Sequence, residues 1–344
     1  MEYITLNNFY TEPKERYNII TTCYFISNQS YKKVDIYFDG LKRLIKWIPN
    51  NYYIRIYFDD SCINPMHNNE ILNNHVRNKV IPVINELKHN KKIQLVHFKC
   101  EKLSKGIYHQ GTFGTIIRFL PFFEDKYNKI ISMDIDFTDD DLKAYKNEFF
   151  DIINSDDNNE KCYIGYFMGS QFVAKQLIIS TYLYNLKYTV TASTFGIKNF
   201  YLDNNIINNI LKQIIEKNGL GYNLMMKLQK YAKSDEYLMY GCDEIILNYI
   251  IYLINKMEIS TLILQIINKS LLKRLLQIKP IIKYNNENIN EIYDYIKKHK
   301  KYKDFYPFGY IFKYKPILKI DDNMLDKKQI KKFRKFVKLG KFLY

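Results

Sequence analysis

The 344-residue sequence has few cysteines and no Cys-x-x-Cys pair. Its five cysteines are widely spaced, and no group of cysteines and histidines has the spacing of a zinc site. We therefore expect reduced thiols in a protein core rather than a disulfide framework or a structural zinc. The five residues are Cys23, Cys62, Cys100, Cys162 and Cys242.

Long apolar runs are also absent. The nearest one, residues 245–254, is interrupted by Asn248 and two tyrosines, whereas a membrane-spanning helix needs about 18 consecutive apolar residues. The first residues are polar, partly acidic, and lack the apolar segment of a secretory signal. These features predict a cytoplasmic protein.

The composition favours a folded protein with a large core. Hydrophobic residues make up 47% of the chain, including 32 tyrosines and 22 phenylalanines. The abundance of Asn, Ile, Lys and Tyr is typical of AT-rich coding sequence, as in a large DNA virus or a parasite. Part of the net charge of +16 therefore reflects codon usage, and the charge alone does not indicate nucleic-acid binding.

Apolar runs alternate with amphipathic stretches over the first 140 residues, which is typical of βαβ units and a largely parallel sheet. We predict an α/β fold of the GT-A (Rossmann-like) type, with a mixed, mostly parallel sheet flanked by helices. The predicted strands are 17–26, 52–61, 92–98, 129–135, 162–169 and 189–200, and the predicted helices are 34–48, 76–88, 112–121, 204–217 and 243–256.

The remainder of the chain is predicted to form a helical C-terminal extension. We expect a catalytic domain over residues 1–258 and a mostly helical segment over 259–344. The last 18 residues, 327–344, contain eight basic residues and no acidic one, with apolar residues at helical spacing. This tail is predicted to be a basic amphipathic helix, either packed on the domain or in peripheral contact with an anionic membrane.

An acidic cluster follows the predicted strand 129–135. Asp134 and Asp136 flank Ile135, and three more aspartates follow shortly after. Side chains two residues apart in an extended strand project to the same face, and paired carboxylates of this kind bind Mg²⁺ or Mn²⁺. In open α/β sheets, ligands bind beyond the carboxyl ends of the strands, where these residues fall. Alone, the same pair is also typical of an ordinary solvated turn.

The stretch 114–142, GTIIRFLPFFEDKYNKIISMDIDFTDDDL, resembles the central segment of nucleotide-sugar glycosyltransferases of the GT-A fold, notably the glycogenin-like group. Arg118, Pro121 and the Asp134-Ile135-Asp136 triplet occur in the order and spacing of that group. Two later segments, TASTFGIKN (191–199) and YGCDEIILNYI (240–250), also resemble it. The sequence departs from the group at 193–194, where a glycine is common, and it lacks the C-terminal histidine element that supplies a further metal ligand.

The resemblance implies transfer of a sugar from a nucleoside diphosphate sugar, with UDP the expected nucleotide, to a hydroxyl of a glycan, protein or lipid. Asp134 and Asp136 would bind Mn²⁺ or Mg²⁺, and Asp243 and Glu244 would lie on the acceptor side as catalytic residues. The implied contacts to the donor are Thr21, Thr22, Tyr24, Asp59, Arg118, Asp134, Ile135 and Asp136.

Several alternatives remain open from the sequence. The positive charge is compatible with a protein that binds nucleic acid or another polyanion, although no specific nucleic-acid motif is present. A sugar-phosphate nucleotidyltransferase also uses a strand-end aspartate and a metal. A transferase that has lost catalysis and retained binding is a third alternative. For Arg118 an ordinary ion pair is as well supported as contact with the donor, and Asp243 and Glu244 also suit a helix N-terminus.

Overall fold

The structure is a computed structural model. It describes most of the first 139 residues and shorter parts of the remainder of the chain. The described residues are 4–27, 32–102, 104–105, 108–109, 113–139, 142, 149–150, 153–154, 162–167, 190–218, 243, 246–247, 250–251, 260–264 and 311–313.

The described strands form a nine-stranded mixed sheet and a small two-stranded sheet. The larger sheet has the order β1-β4-β3-β2-β7-β9-β8-β10-β11, and β5 pairs with β6. The predicted α/β fold with a mixed sheet flanked by helices is therefore confirmed. The strands are β1 Thr5–Phe9, β2 Tyr17–Tyr24, β3 Tyr52–Phe58, β4 Ile93–Lys99, β5 Ser104–Lys105, β6 Tyr108–His109, β7 Tyr127–Met133, β8 Cys162–Phe167, β9 Val190–Lys198, β10 Ser260–Leu264 and β11 Ile311–Lys313.

The centre of the large sheet is parallel. Strands β4, β3, β2 and β7 pair in parallel, and β8 pairs in parallel with β10. The remaining pairings are antiparallel, including both pairings of β9. The chain moves outward from β2 through β3 to β4 and then returns to the other side of β2 to form β7. The strand order therefore reverses between β2 and β7, which is where open α/β sheets bind ligands.

Helices cover the sheet on both faces. One core cluster packs β2, β3 and β7 against α1 and the α2–α3 segment, and the other packs the opposite face against α4 and α5. A π-helical turn, Val76–Val80, joins α2 and α3, and 3-10 turns span Asp60–Cys62 and Leu120–Phe123. The helices are α1 Val34–Trp47, α2 Glu70–His75, α3 Ile81–Leu87, α4 Phe113–Ile117 and α5 Asn204–Ile215.

The predicted, mostly helical extension contains two strands, since Ser260–Leu264 and Ile311–Lys313 form β10 and β11. The run STLIL is short, apolar and partly β-branched, so it suits a buried strand as well as a helix, and pairing with β8 decides between them. The other residues of 259–344, including the basic tail at 327–344, lie outside the described residues. The boundary at 258 stays a prediction.

Two further expectations concern cysteines and membrane spans. Cys23, Cys62 and Cys100 are buried thiols, as predicted, and burial raises the pKa of the Cys23 thiol to about 12. Of the helices in the described ranges, none has both the length and the apolar content needed to cross a membrane.

A polar network lies at the amino end of the parallel strands. Arg55 of β3 is buried and donates to Gln94 at 3.0 Å, to Glu124 at 3.0 Å and to the hydroxyl of Tyr10 at 2.7 Å. Its guanidinium also lies 5.2 Å from the centre of the Tyr10 ring. These contacts satisfy a buried charge and connect β3, β4 and the segment before β2 at the end of the sheet opposite the strand-end aspartates.

Candidate functional site

The candidate site lies at the carboxyl end of β7. Asp134 directly follows Met133, the last residue of β7, and Asp136 lies two residues further on. The amide of Asp134 donates to the carbonyl of Ser193 at 2.8 Å. This bond extends the pairing of β7 with β9 by one residue. The two aspartates therefore stand at the carboxyl end of a strand, as the sequence indicated, and this end lies at the reversal of strand order between β2 and β7.

Arg118 connects this acidic segment to Asp243, which lies far along the chain. It follows α4, is 1% exposed, and its Nη1 donates to Oδ1 of Asp134. Its Nη2 donates to Oδ2 of Asp243 at 2.9 Å and to the carbonyl of Ala192 at 2.9 Å. One planar guanidinium thus holds two carboxylates that are 109 positions apart in the sequence, which suits the fork geometry of arginine.

The charges around Arg118 shift each other's ionisation. Burial opposes the positive charge of Arg118, but Asp134 and Asp243 outweigh it and raise its pKa further above its ordinary value. Burial raises the pKa of the Asp134 carboxyl, the carboxylates of Asp136 and Asp243 raise it further, and Arg118 only partly compensates. The negative charge concentrated here attracts an additional cation, because a cation relieves the repulsion between neighbouring carboxylates.

Asp136 has a different cationic partner. The ammonium group of Lys32, from the segment between β2 and α1, forms an ion pair with Oδ2 of Asp136. The side chain of Lys32 is 33% exposed and that of Asp136 is 15% exposed. Burial lowers the pKa of Lys32, but the contact with Asp136 outweighs it and the net pKa is raised, so the lysine is charged.

Helix α1 packs directly on the backbone between the two aspartates. A Cβ atom added at Gly40 would lie 1.6 Å from the carbonyl oxygen of Ile135. Gly40 therefore allows α1 to approach the Asp134–Asp136 segment more closely than any other residue type would permit. Ile135 itself is 8% exposed and packs in the core beneath α1, so its side chain anchors the segment rather than facing a ligand.

Three predicted donor contacts on β2 lie in the interior. Thr21, Thr22 and Tyr24 are each at most 1% exposed, and they do not join the group of carboxylates at the end of β7. Their side-chain oxygens have no hydrogen-bond partner among the described residues. Alternation along β2 places Thr21 on the same face as Cys23 and next to Ser132 of β7. The structure thus places these three residues behind the site rather than at its surface.

Asp59, also a predicted donor contact, caps a 3-10 turn. It is 2% exposed, its carboxylate accepts from the amide of Ser61 at 3.0 Å, and it also accepts from the Ser61 hydroxyl. That hydroxyl in turn accepts from the amide of Ile26 at 2.9 Å. Asp59 therefore ties the end of β3 to the end of β2, a structural role typical of aspartate at this position.

The predicted acceptor-side pair is described in part. Asp243 is helical and its side chain is 13% exposed, in the contact with Arg118 given above. Glu244 lies outside the described residues. The structure therefore brings together Arg118, Asp134 and Asp243 from the predicted set, with Asp136 in the same acidic segment.

The residues present fit a divalent cation bound together with phosphates. Among the described residues no group of three histidine, cysteine, aspartate or glutamate side chains has the arrangement of a complete metal site. Mg²⁺ and similar ions, however, are commonly held by one or two carboxylates, with water and substrate phosphates completing the coordination. Asp134 and Asp136 supply a donor set of this kind.

Sequence reasoning missed Lys32 and Gly40. Each had a usable signal. Lys32 belongs to the connection that leaves the carboxyl end of the first parallel strand, next to the reversal of strand order. Gly40 interrupts an otherwise regular helical pattern, which often indicates close approach of another backbone.

Comparison with known proteins adds little. No family model matches the sequence, and no curated protein matches it. Among solved structures, the fold is similar to that of 4-diphosphocytidyl-2C-methyl-D-erythritol synthase from Anaerococcus prevotii DSM 20548, with 9% sequence identity and a TM-score of 0.30 over 69% of this chain and 96% of that chain.

Proposed function

We propose that this protein is a metal-dependent glycosyltransferase that moves a sugar from a nucleoside diphosphate sugar, with UDP as the nucleotide, to a hydroxyl acceptor. The observation that carries the proposal is the position of Asp134 and Asp136, which lie just beyond the carboxyl end of β7 at the reversal of strand order. The resemblance of the stretch 114–142 to GT-A glycosyltransferases supports the same function.

Asp134, Asp136 and Arg118 have different roles in the proposed site. Asp134 and Asp136 would hold Mn²⁺ or Mg²⁺, which when bound neutralises charge on the departing diphosphate. Arg118 orients Asp134 through its ion pair, and its contact with the Ala192 carbonyl holds the guanidinium against β9. Arg118 thus acts as a positioning residue, because it is fully enclosed and reaches no solvent.

Asp243 is the candidate on the acceptor side. The carboxylates of Asp243 and Asp134 both form ion pairs with the guanidinium of Arg118. Asp243 therefore lies close to one of the proposed metal ligands. In this position it accepts a hydrogen bond from an acceptor hydroxyl or takes its proton. The ion pair with Arg118 holds the Asp243 carboxylate in place for either role.

The test is a thermal-unfolding panel with UDP, GDP, CDP and ADP and their common sugar conjugates, each with and without Mn²⁺. A ligand present at 100 times its Kd stabilises a protein by about 2.7 kcal/mol, which is readily measured. We expect stabilisation by UDP or a UDP-sugar that requires Mn²⁺, and loss of that stabilisation in Asp136→Asn. The matched control is Asp139→Asn in the same segment, where the side chain is 76% exposed.

A second measurement separates the reaction classes. With a UDP-sugar and an acceptor, a glycosyltransferase releases UDP, whereas a nucleotidyltransferase consumes UTP and a sugar phosphate and releases pyrophosphate. Release of pyrophosphate from UTP and a sugar phosphate, without release of UDP from a UDP-sugar, would replace the proposal by nucleotidyl transfer. Absence of stabilisation by every nucleotide in the panel, with Mn²⁺ and without it, would contradict both.

A further inference from the structure

The two cations of the site differ in mobility. Arg118 is enclosed and makes three hydrogen bonds to fixed partners. Lys32 is one-third exposed and reaches Asp136 from a segment between two secondary-structure elements. A lysine ammonium is a point charge on a flexible four-carbon stem, and a partly exposed ion pair of this kind contributes only about 0–1 kcal/mol to stability. Lys32 can therefore leave Asp136 at little cost.

The charge balance of the site favours such an exchange. Among the residues that the structure describes here, three carboxylates, Asp134, Asp136 and Asp243, face two cations, Arg118 and Lys32, so one negative charge is left over. A divalent cation alone would reverse the sign and repel the lysine that it displaces from Asp136. A diphosphate that binds together with the divalent cation places negatively charged oxygens near both the cation and the Lys32 ammonium, which removes that repulsion.

We propose that Lys32 is an exchangeable counter-ion. In the free protein it neutralises Asp136, and when a divalent cation takes Asp136, Lys32 moves to the diphosphate of the donor. This inference rests on the proposed function and adds to it a protein side chain, Lys32, that binds the diphosphate of the donor. Its consequence is that metal and nucleotide bind cooperatively, because Lys32 opposes the binding of metal alone and supports the binding of both together.

The position of Lys32 supports this role. It lies one residue before Lys33, which precedes the first residue of α1, and it follows β2, the strand next to β7. Ligands in such sheets bind in the crevice between the two strands at the reversal of order, and Lys32 and Asp136 belong to the segments that follow these two strands. A short movement of the ammonium keeps it within the same crevice.

The experiment compares Lys32→Met with the matched control Lys33→Met, whose side chain is at an exposed position. Binding of Mn²⁺ to the full chain is measured without nucleotide, from the electron paramagnetic resonance signal of the free ion. Binding of UDP is measured by calorimetry at saturating Mn²⁺.

A coupling of the usual size between two ligands corresponds to about a 5- to 150-fold change in affinity. We expect Lys32→Met to bind Mn²⁺ alone about fivefold more tightly or better, and to bind UDP in the presence of Mn²⁺ at least about fivefold more weakly.

The outcomes distinguish this inference from the proposed function. In one outcome, the unsubstituted protein binds Mn²⁺ and UDP together, but Lys32→Met behaves like Lys33→Met in both measurements. The proposal that Lys32 moves from Asp136 to the diphosphate is then wrong, and the glycosyltransferase proposal stands. Weaker binding of Mn²⁺ alone in Lys32→Met would also overturn it, since removing a competitor cannot weaken the metal. If the unsubstituted protein fails to bind UDP with Mn²⁺, the proposed function fails first. Thermal unfolding of each variant verifies that it is folded.

Discussion

Gly40 of α1 and the carbonyl of Ile135 are in such close contact that no side chain fits between them: an added Cβ would lie 1.6 Å from the carbonyl oxygen. Glycine in a helix normally costs about 0.5–1 kcal/mol relative to alanine, so its presence here reflects packing rather than helix formation. The contact fixes the backbone between Asp134 and Asp136 against a rigid helix, which determines where both carboxylates stand.

Gly40→Ala is therefore expected to destabilise the protein, although the same change in an unconstrained helix would stabilise it. The atom it meets is backbone, so either α1 or the segment around Ile135 must shift, and overpacking of this kind costs about 1–3 kcal/mol. The free energy of unfolding, measured by chemical denaturation, checks the sign. Lys46→Ala on the exposed side of α1 is the control and is expected to change stability little. A stabilised Gly40→Ala would show that the contact is looser than described.

Removal of the guanidinium at Arg118 should destabilise strongly. Arg118→Met leaves the carboxylates of Asp134 and Asp243 near each other without their shared partner, and breaking a buried ion pair on one side costs about 3–5 kcal/mol. We expect about 3 kcal/mol, at the lower end, because Asp134 is 40% exposed and water screens it. Denaturant titration gives the value.

The control for that change is Arg43→Met. Arg43 lies 3.4 Å from Asp139, and both side chains are substantially exposed, so its loss should cost no more than about 1 kcal/mol. Equal effects of the two substitutions would mean that Arg118 contributes no more than a surface ion pair.

His75 is expected to make stability depend on pH. It is 7% exposed, its Nδ1 lies 3.4 Å from Asp35, and its ring contacts Phe38 edge-on. Burial lowers its pKa, Asp35 opposes this in part, Lys79 adds to the lowering, and the net pKa is below the ordinary value. The unfolded chain therefore takes up a proton below about pH 6.5 that the folded protein resists, and stability falls as the pH decreases through that value.

This dependence is measured by denaturant titration between about pH 8 and pH 5, a window that spans the ordinary histidine pKa. His75→Gln should lose less stability over this range than the unsubstituted protein does. His89→Gln, at an exposed position, should follow the unsubstituted protein. Parallel curves for all three proteins would mean that His75 is protonated freely in the folded state.

The polar network around Arg55 should affect stability without affecting the site. Tyr10→Phe removes the hydroxyl that accepts from Arg55 at 2.7 Å and retains the ring 5.2 Å from the guanidinium. Loss of a hydrogen bond to a charged group costs about 1.5–3 kcal/mol. Because the network lies at the amino end of the parallel strands, Mn²⁺-dependent binding of UDP is expected to be unchanged. Tyr201→Phe, where the tyrosine is 45% exposed, is the control and should cost little.

The parallel centre of the sheet was predictable because its strands are continuous apolar runs separated by amphipathic helices. The predicted strand 17–26 is observed as β2, and the predicted helix 34–48 as α1, each within two residues.

The antiparallel edge strand β1 was missed because TLNNF is short and mostly exposed, and it has no strong pattern of its own. Pairing with β4 holds it in place, and no local signal reports that pairing.

Helix α2 shows where a local signal was overlooked. The prediction began at 76, whereas the structure is helical from Glu70. The carboxamide of Asn69 accepts from the amide of Ile71 at 2.9 Å, a cap that the sequence Asn-Glu-Ile indicates. The absence of apolar periodicity before residue 76 obscured it, since Ile71 is 77% exposed.

At the candidate site, the sequence pointed to the acidic residues and to Arg118, but not to Lys32. The position of Asp134 and Asp136 follows from local pattern, since they end an apolar strand. Their pairing with Arg118 and Lys32 depends on how distant segments meet, and no spacing in the sequence encodes it. Asp59 shows the opposite difficulty, because an aspartate at a strand end serves as readily for capping as for ligand binding.

Strand β10 affects how the chain can be shortened. It pairs in parallel with β8 along five residues, from Ser260 to Leu264. A polypeptide ending at residue 258 would leave the amide and carbonyl groups on that side of β8 without their partner strand. Such an open strand is a template for pairing with another copy, so a fragment of this length is prone to self-association during purification.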